Sequence, residues 1–229
     1  MRKQTGFTLI EISIVLVIIG LLLGGILKGQ EMITSSRVRN LIALQEGFKA
    51  AYFGFSDRFR ALPGDYDAAT KNIAGVGTTT CPGNGNGNGR IEWGGALNES
   101  IMVWEHLSKS GFINGSYTCA PIESAATTPS NPFAVRMQIA YDTVFNDAAG
   151  SSTISRHNLK TGGLISSDVL AEIDRKIDDG SATGGTFRFS TYDGGTGTPP
   201  GPVNCYLPIV PHLWNSSSPD TNCGGASLF

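Results

Sequence analysis

Charge is scarce in this sequence. Asp, Glu, Lys and Arg make up 16% of its 229 residues, and the formal net charge is −2. That balance argues against a nucleic-acid-binding role resting on overall basicity. Histidine occurs three times, as His106, His157 and His212, with no spacing that relates one to another as ligands. Cysteine occurs four times and never as C-x-x-C or beside a histidine pair, so the zinc-site pattern is missing. The serines form no G-x-S-x-G elbow, and no glycine run ends in the Gly-Lys-Ser/Thr of a phosphate loop. An enzymatic role therefore finds no constellation of residues to carry it, and neither a resident cofactor nor an activity is expected.

What is plentiful is glycine, with 30 copies beside 11 prolines. They gather in runs such as "CPGNGNGNGR", "YDGGTGTPPGPVN" and "NCGGASLF", which read as loops threaded through a folded body. With 40% hydrophobic residues the chain is long enough for a real core. The even cysteine count, in a chain with an export segment, suggests disulfides. Of the three connectivities, Cys81–Cys119 with Cys205–Cys223 keeps both loops local, each contributing about 3 to 4 kcal/mol in the chain-entropy account. Four buried free thiols are the alternative.

The longest apolar run lies at the start. From Phe7 to Leu27 the only charged residue is Glu11. At about 1.5 Å per residue this run makes a helix about 31 Å long, the thickness of a bilayer core. A secretory signal would be shorter and end in an A-x-A site, whereas here the run passes straight into "KGQEMITSSRVRN". Arg2 and Lys3 precede the span, so the N-terminal side is expected to face the cytoplasm and the residues after about 28 to lie across the membrane. A carboxylate inside hydrocarbon costs on the order of 3 kcal/mol, so Glu11 needs a partner.

The basic leader, the order Gly6-Phe7-Thr8-Leu9-Ile10-Glu11 and the uninterrupted apolar stretch resemble the class III signal of type IV pilins and of type II secretion pseudopilins. The resemblance implies cleavage by a prepilin peptidase between Gly6 and Phe7, N-methylation of Phe7, and an assembly role for Glu11. It also implies partnership with identical or related pilin subunits and with an inner-membrane assembly platform. Many pilins have proline at the position of Lys28; this chain departs there, and Gly24, Gly25 and Gly29 are candidates for a weakened helix instead. Cleavage would create an amine four residues before Glu11, so in a helical stack the amine of one subunit and Glu11 of its neighbour could neutralise each other.

Beyond the span, Val38, Leu41, Gln45, Phe48, Tyr52, Phe55 and Phe59 recur at steps of three and four, so helix is expected to continue to about residue 60 with a stripe for a core. "LPGDYD" then closes it. The expected organisation is a leader at 1–6, a transmembrane or filament-core helix at 7–27, its amphipathic continuation at 28–62 and a globular head at 63–229. Within the head, "ALNESIMVWEHLSKSG" reads as a helix with Leu97, Ile101, Trp104 and Leu107 on one face and His106 in a surface or capping role. "NPFAVRMQIAYD" alternates like a half-buried strand, "SSDVLAEIDRKIDDG" reads as a second helix, and "TFRFSTY" as a second strand. The class is α+β, a long helix packed on a head with an antiparallel sheet, which is also the architecture the pilin resemblance implies.

Two loops leave alternatives open. In "CPGNGNGNGRIEW", Asn84, Asn86 and Asn88 followed by Gly89 imitate part of a calcium loop, but the twelfth position is Gly95 and the ligands are neutral amides. Calcium would have to draw on Glu92, or on Asp65 and Asp67; a glycine-permitted turn is the favoured reading. The tail loop from Cys205 to Cys223 either displays Tyr206, Leu213 and Trp214 on a surface, as the resemblance implies, or folds back with Trp214 buried.

Overall fold

The computed structural model describes residues 8–94, 98–147 and 150–229. The chain divides into two compact units, one ending at Arg37 and the other running Val38–Phe229. Helix α1, Leu9–Phe59, contributes to both. In the first unit no described residue is buried, and the helix is long and apolar enough to cross a membrane. It runs unbroken through Gly24, Gly25 and Gly29, with open space where each Cβ would stand.

In the second unit the same helix changes character. Val38, Leu41, Gln45, Phe48, Ala51, Tyr52 and Phe55 are buried, one stripe along one face. Phe48 meets Trp104 edge-on at 5.0 Å between ring centroids, and Tyr52 meets Phe229 at 4.8 Å. Gln45 sits in this apolar stripe because Ser227 Oγ donates to its Oε1 at 2.5 Å. The helix stops at Phe59, where Arg60 turns left-handed with φ 54°, three residues before Pro63.

After the short helix α2, Ala69–Asn72, comes a long irregular stretch and then helix α3, Glu99–Lys109. The remaining elements are strands β1 (Gln138–Asp142), β2 (Asn146–Asp147), β3 (Gly150–Ser151) and β4 (Arg156–Lys160), helix α4 (Ser167–Ile177), strand β5 (Phe187–Phe189), helix α5 (Pro202–Cys205) and strand β6 (Gly225–Leu228). Among the described residues four strands form one antiparallel sheet in the order β1-β4-β6-β5, and β2 pairs with β3. The core joins the α1 stripe, Trp104 and Leu107 of α3, Val169, Leu170 and Ile173 of α4, and the sheet residues Ile139, Leu159, Phe187 and Phe189.

The α+β class and the antiparallel sheet hold, but the strand expected across "NPFAVRMQIAYD" is corrected in extent and in kind. Only Gln138–Asp142 is strand. Upstream, the Asn131 side chain accepts the amides of Phe133 and Val135, and Ala134 turns left-handed at φ 62°, so the alternation there belongs to a loop. The strand is not half-buried either: Gln138, Ile139 and Ala140 are all buried, so both of its faces are covered.

Candidate functional site

The carboxylate at the head of the apolar helix is held locally. Thr8 precedes α1, and Glu11 Oε2 accepts from both the Thr8 amide and the Thr8 hydroxyl, each at 2.8 Å, while the Glu11 amide points at Thr8 Oγ1 at 3.4 Å. This is a capping box, T-x-x-E ahead of an apolar run. The pattern stands in the sequence, yet a reading centred on the charge passes over it. The box satisfies donors that the first turn would otherwise leave open, and it sets the anion at the helix end that favours one. Gly6 and Phe7, the expected processing pair, lie outside the described residues, as do Gly95 and Leu97.

Farther along the helix, Lys28 Nζ meets Glu31 Oε2 at 2.7 Å. This exposed pair marks where the apolar run gives way to polar residues.

The Asn-Gly loop of the head is tied down by buried acids. Asp65 takes the amides of Asn88 and Gly89 on its two carboxylate oxygens, at 3.0 and 2.7 Å. Glu99, at the start of α3, takes the amides of Asn86 and Glu92, both at 3.0 Å. Glu105, one turn and a half on, takes those of Gly77 and Cys119, both at 3.1 Å. The asparagine oxygens are also engaged: Asn84 Oδ1 accepts from Thr70, Asn86 Oδ1 from Asn88 and Asn88 Oδ1 from Arg90. Asn86 donates to Glu92 Oε2 at 3.1 Å. Burial pushes the carboxyl pKa values of Asp65 and Glu99 up, against the pull of the amides they accept.

His106 corrects an expectation. It is fully buried rather than at the surface: its Nδ1 accepts the Gly64 amide at 2.9 Å, and its Nε2 faces the Gly83 carbonyl at 2.8 Å. Those partners define the tautomer, with the proton on Nε2. Burial lowers its pKa to about 4, although the Gly83 carbonyl pulls the other way. Glycine is required where this network closes. A Cβ at Gly64, which sits at φ 90°, would lie 2.5 Å from the Glu99 carbonyl oxygen, and one at Gly85 would lie 2.3 Å from the Asp65 backbone.

Cys81 and Cys119 form one disulfide, with Cα atoms 5.8 Å apart, and Cys205 and Cys223 another, at 5.6 Å. In the tail loop the buried alternative is what the structure contains for Trp214. It is 3% exposed, and its Nε1 donates to Asp174 Oδ2 at 2.6 Å. Burial raises the Asp174 pKa to about 7, with the Trp214 bond opposing. Leu213 remains partly open at 46% exposure, beside Ile209 and Val210 at 74% and 76%. Asp174, Asp178 and Asp179 bring carboxylate oxygens within 4.8 Å of one another. Each is committed to a protein donor: Trp214 for Asp174, the Phe187 amide for Asp178 and the Ser181 amide for Asp179.

These features fall into place with one comparison. Residues 1–27 match the prokaryotic N-terminal methylation motif. This is the prepilin leader signature of type IV pilins and pseudopilins. Among curated proteins and solved structures none matches the chain. The motif supports a type IV pilin-like or pseudopilin-like protein, and the family that carries the motif is structural rather than enzymatic. It implies processing by prepilin peptidase and engagement with pilus assembly machinery in general, and with the apolar helix it fits a membrane-anchored precursor.

Proposed function

We propose that the chain is a structural subunit of a type IV pilus-like filament, cut between Gly6 and Phe7, methylated on Phe7 and polymerised through α1. The observation that carries this reading is the methylation motif running without a break into an apolar helix that the chain itself leaves unburied. An unburied apolar helix of this length needs lipid before assembly and neighbouring helices after it. In the stored precursor the Thr8 box serves the Glu11 carboxylate. In the filament the amine of a neighbouring subunit neutralises it, which fixes register as well as charge. The leader faces the cytoplasm, and the unit from Val38 onward lies outside it.

A pseudopilin of a type II secretion system uses the same processing, and a secretin and retraction ATPase encoded nearby would favour the pilus. A membrane-tethered binding module that borrows only the export signal is the reading from another class. Calcium in the Asn84–Asn88 loop would have to displace the amides held by Asp65 and Glu99, so the loop acts as framework in this proposal.

The test is intact mass of the membrane-extracted protein together with filament incorporation of Glu11→Ala. The expected result is loss of Met1–Gly6, one added methyl group at Phe7, and a processed Glu11→Ala chain that accumulates in the membrane without entering filaments. An uncut leader would exclude this maturation route. Normal incorporation of the variant would remove the role assigned to Glu11.

A further inference from the structure

Away from the helix, the unit running Val38–Phe229 carries a cleft of about 580 Å³ beside β1. Its lining residues Tyr192, Glu123, Gln138 and Asp142 belong to one hydrogen-bond chain that runs through Lys160. Tyr192 Oη donates to Glu123 Oε2 at 2.8 Å, Gln138 Nε2 donates to Glu123 Oε1 at 2.9 Å, and Lys160 Nζ donates to Gln138 Oε1 at 2.8 Å. Lys160 also pairs with Asp142 at 2.5 Å, while being almost wholly shielded from solvent. A chain of this kind holds its members rigidly, because each buried polar group is costly if left unpaired.

Arg136, on the cleft wall, breaks the pattern. Its Nε is buried and meets no acceptor in the structure. Gly195 lies against the same guanidinium, where a Cβ would stand 2.7 Å from Nη2, so any side chain there would press into it. Trp93, which lines the same cleft as Tyr192, is 65% exposed, a large aromatic side chain left open. A concave surface that combines aromatic side chains with a few convergent polar groups is the usual form of a small-molecule site.

The chemistry narrows the ligand. A flat apolar face is offered to one side of it. Glu123, Asp142 and Arg136 line the cleft with charged groups, the two carboxylates already holding protein donors but keeping lone pairs for a further one. A polyhydroxylated ring meets all three demands, since its C–H face covers an aromatic ring and its hydroxyls both donate and accept. Asp193 also lines the cleft, which sets three carboxylates against Arg136 and Lys160, so an anionic ligand is disfavoured. We propose that this cleft is a saccharide-binding site for a neutral or amino sugar, stacked on Trp93 and hydrogen-bonded by Arg136. The proposal stands independently of whether the chain assembles into filaments.

The experiment uses the full chain in a zwitterionic detergent that contains no sugar, titrated with neutral hexoses, amino sugars and uronic acids. Binding is read by saturation-transfer NMR and by tryptophan fluorescence. The other two tryptophans, Trp104 and Trp214, are buried, so a ligand-induced change reports Trp93. The expected result is saturable binding of a neutral or amino sugar, weakened about tenfold or more by Trp93→Ala and by Arg136→Gln, with the matching uronic acid weaker still. Near-UV circular dichroism checks that both variants remain folded, and Trp93, being exposed, is the safer of the two. Absence of saturable binding to any sugar up to about 10 mM would overturn the site. Binding indifferent to Trp93→Ala would overturn its placement, and a preference for the uronic acid would overturn the ligand class.

Discussion

His106 joins the turn after α1 to the Asn-Gly loop through one ring, accepting from Gly64 and donating to Gly83. Its ordinary pKa is near 6.5 and its folded value about 4, so between those values the unfolded chain binds more protons than the folded one. The histidine's share of stability is complete above about pH 6.5 and is lost as pH falls toward 4. Asp65 and Glu99, whose pKa values are raised, act in the opposite sense, so the histidine is isolated by difference. His106→Gln is expected to cost about 2 to 3 kcal/mol at pH 7 and less at pH 4.5, checked by urea unfolding of both chains across that range. Nothing near His106 in the sequence announces this role. A histidine inside an amphipathic helix pattern reads as surface because its two partners are main-chain groups 42 and 23 residues away. Thr8 is the opposite case, since T-x-x-E before an apolar run is legible wherever one looks for it.

Among the elements, the three longer helices were legible, whereas the one-turn helices α2 and α5 and the middle of the sheet were not. The α1 stripe and the apolar side of α4 follow the helical period closely. Strand β4, "RHNLK", buries Asn158 and Lys160 beside Leu159, with Asn158 Nδ2 donating to Asp142 and Lys160 to Gln138 across the sheet while Asn158 Oδ1 is left without a partner. Such a segment hides its alternation, because burial there is decided by partners that sequence spacing does not reveal. Strand β6, "GASL", is buried at all four positions with residues too small to signal a strand. The Asn-Gly loop shows the same dependence on distant groups. Gly85→Ala should cost at least about 3 kcal/mol, because its Cβ would strike main chain at Asp65. Gly89→Ala, at φ 79° with open space around it, should cost about 1 kcal/mol. Denaturation midpoints of the two variants measure the contrast.

At the scale of the whole molecule, the boundary of the folded body falls at Val38, well inside α1. The stripe from Val38 to Phe55 belongs to the same core as Trp104, Leu159 and Phe187. A chain that starts near residue 30 should therefore be soluble and unfold in one cooperative transition, whereas one that starts at residue 63 should not fold, as circular dichroism and thermal melts would distinguish. The bond between Ser227 and Gln45 spans 182 residues, and β6 is inserted between β4 and β5. During synthesis, then, the sheet stays open, and Gln45 and Tyr52 of the helix stripe lack their partners Ser227 and Phe229, until the last residues have been made. Closure over so long a loop is slow, and the waiting chain exposes both a β4 edge and part of the helix stripe. This places the head's aggregation hazard in the interval of its own synthesis, before the last strand has been made.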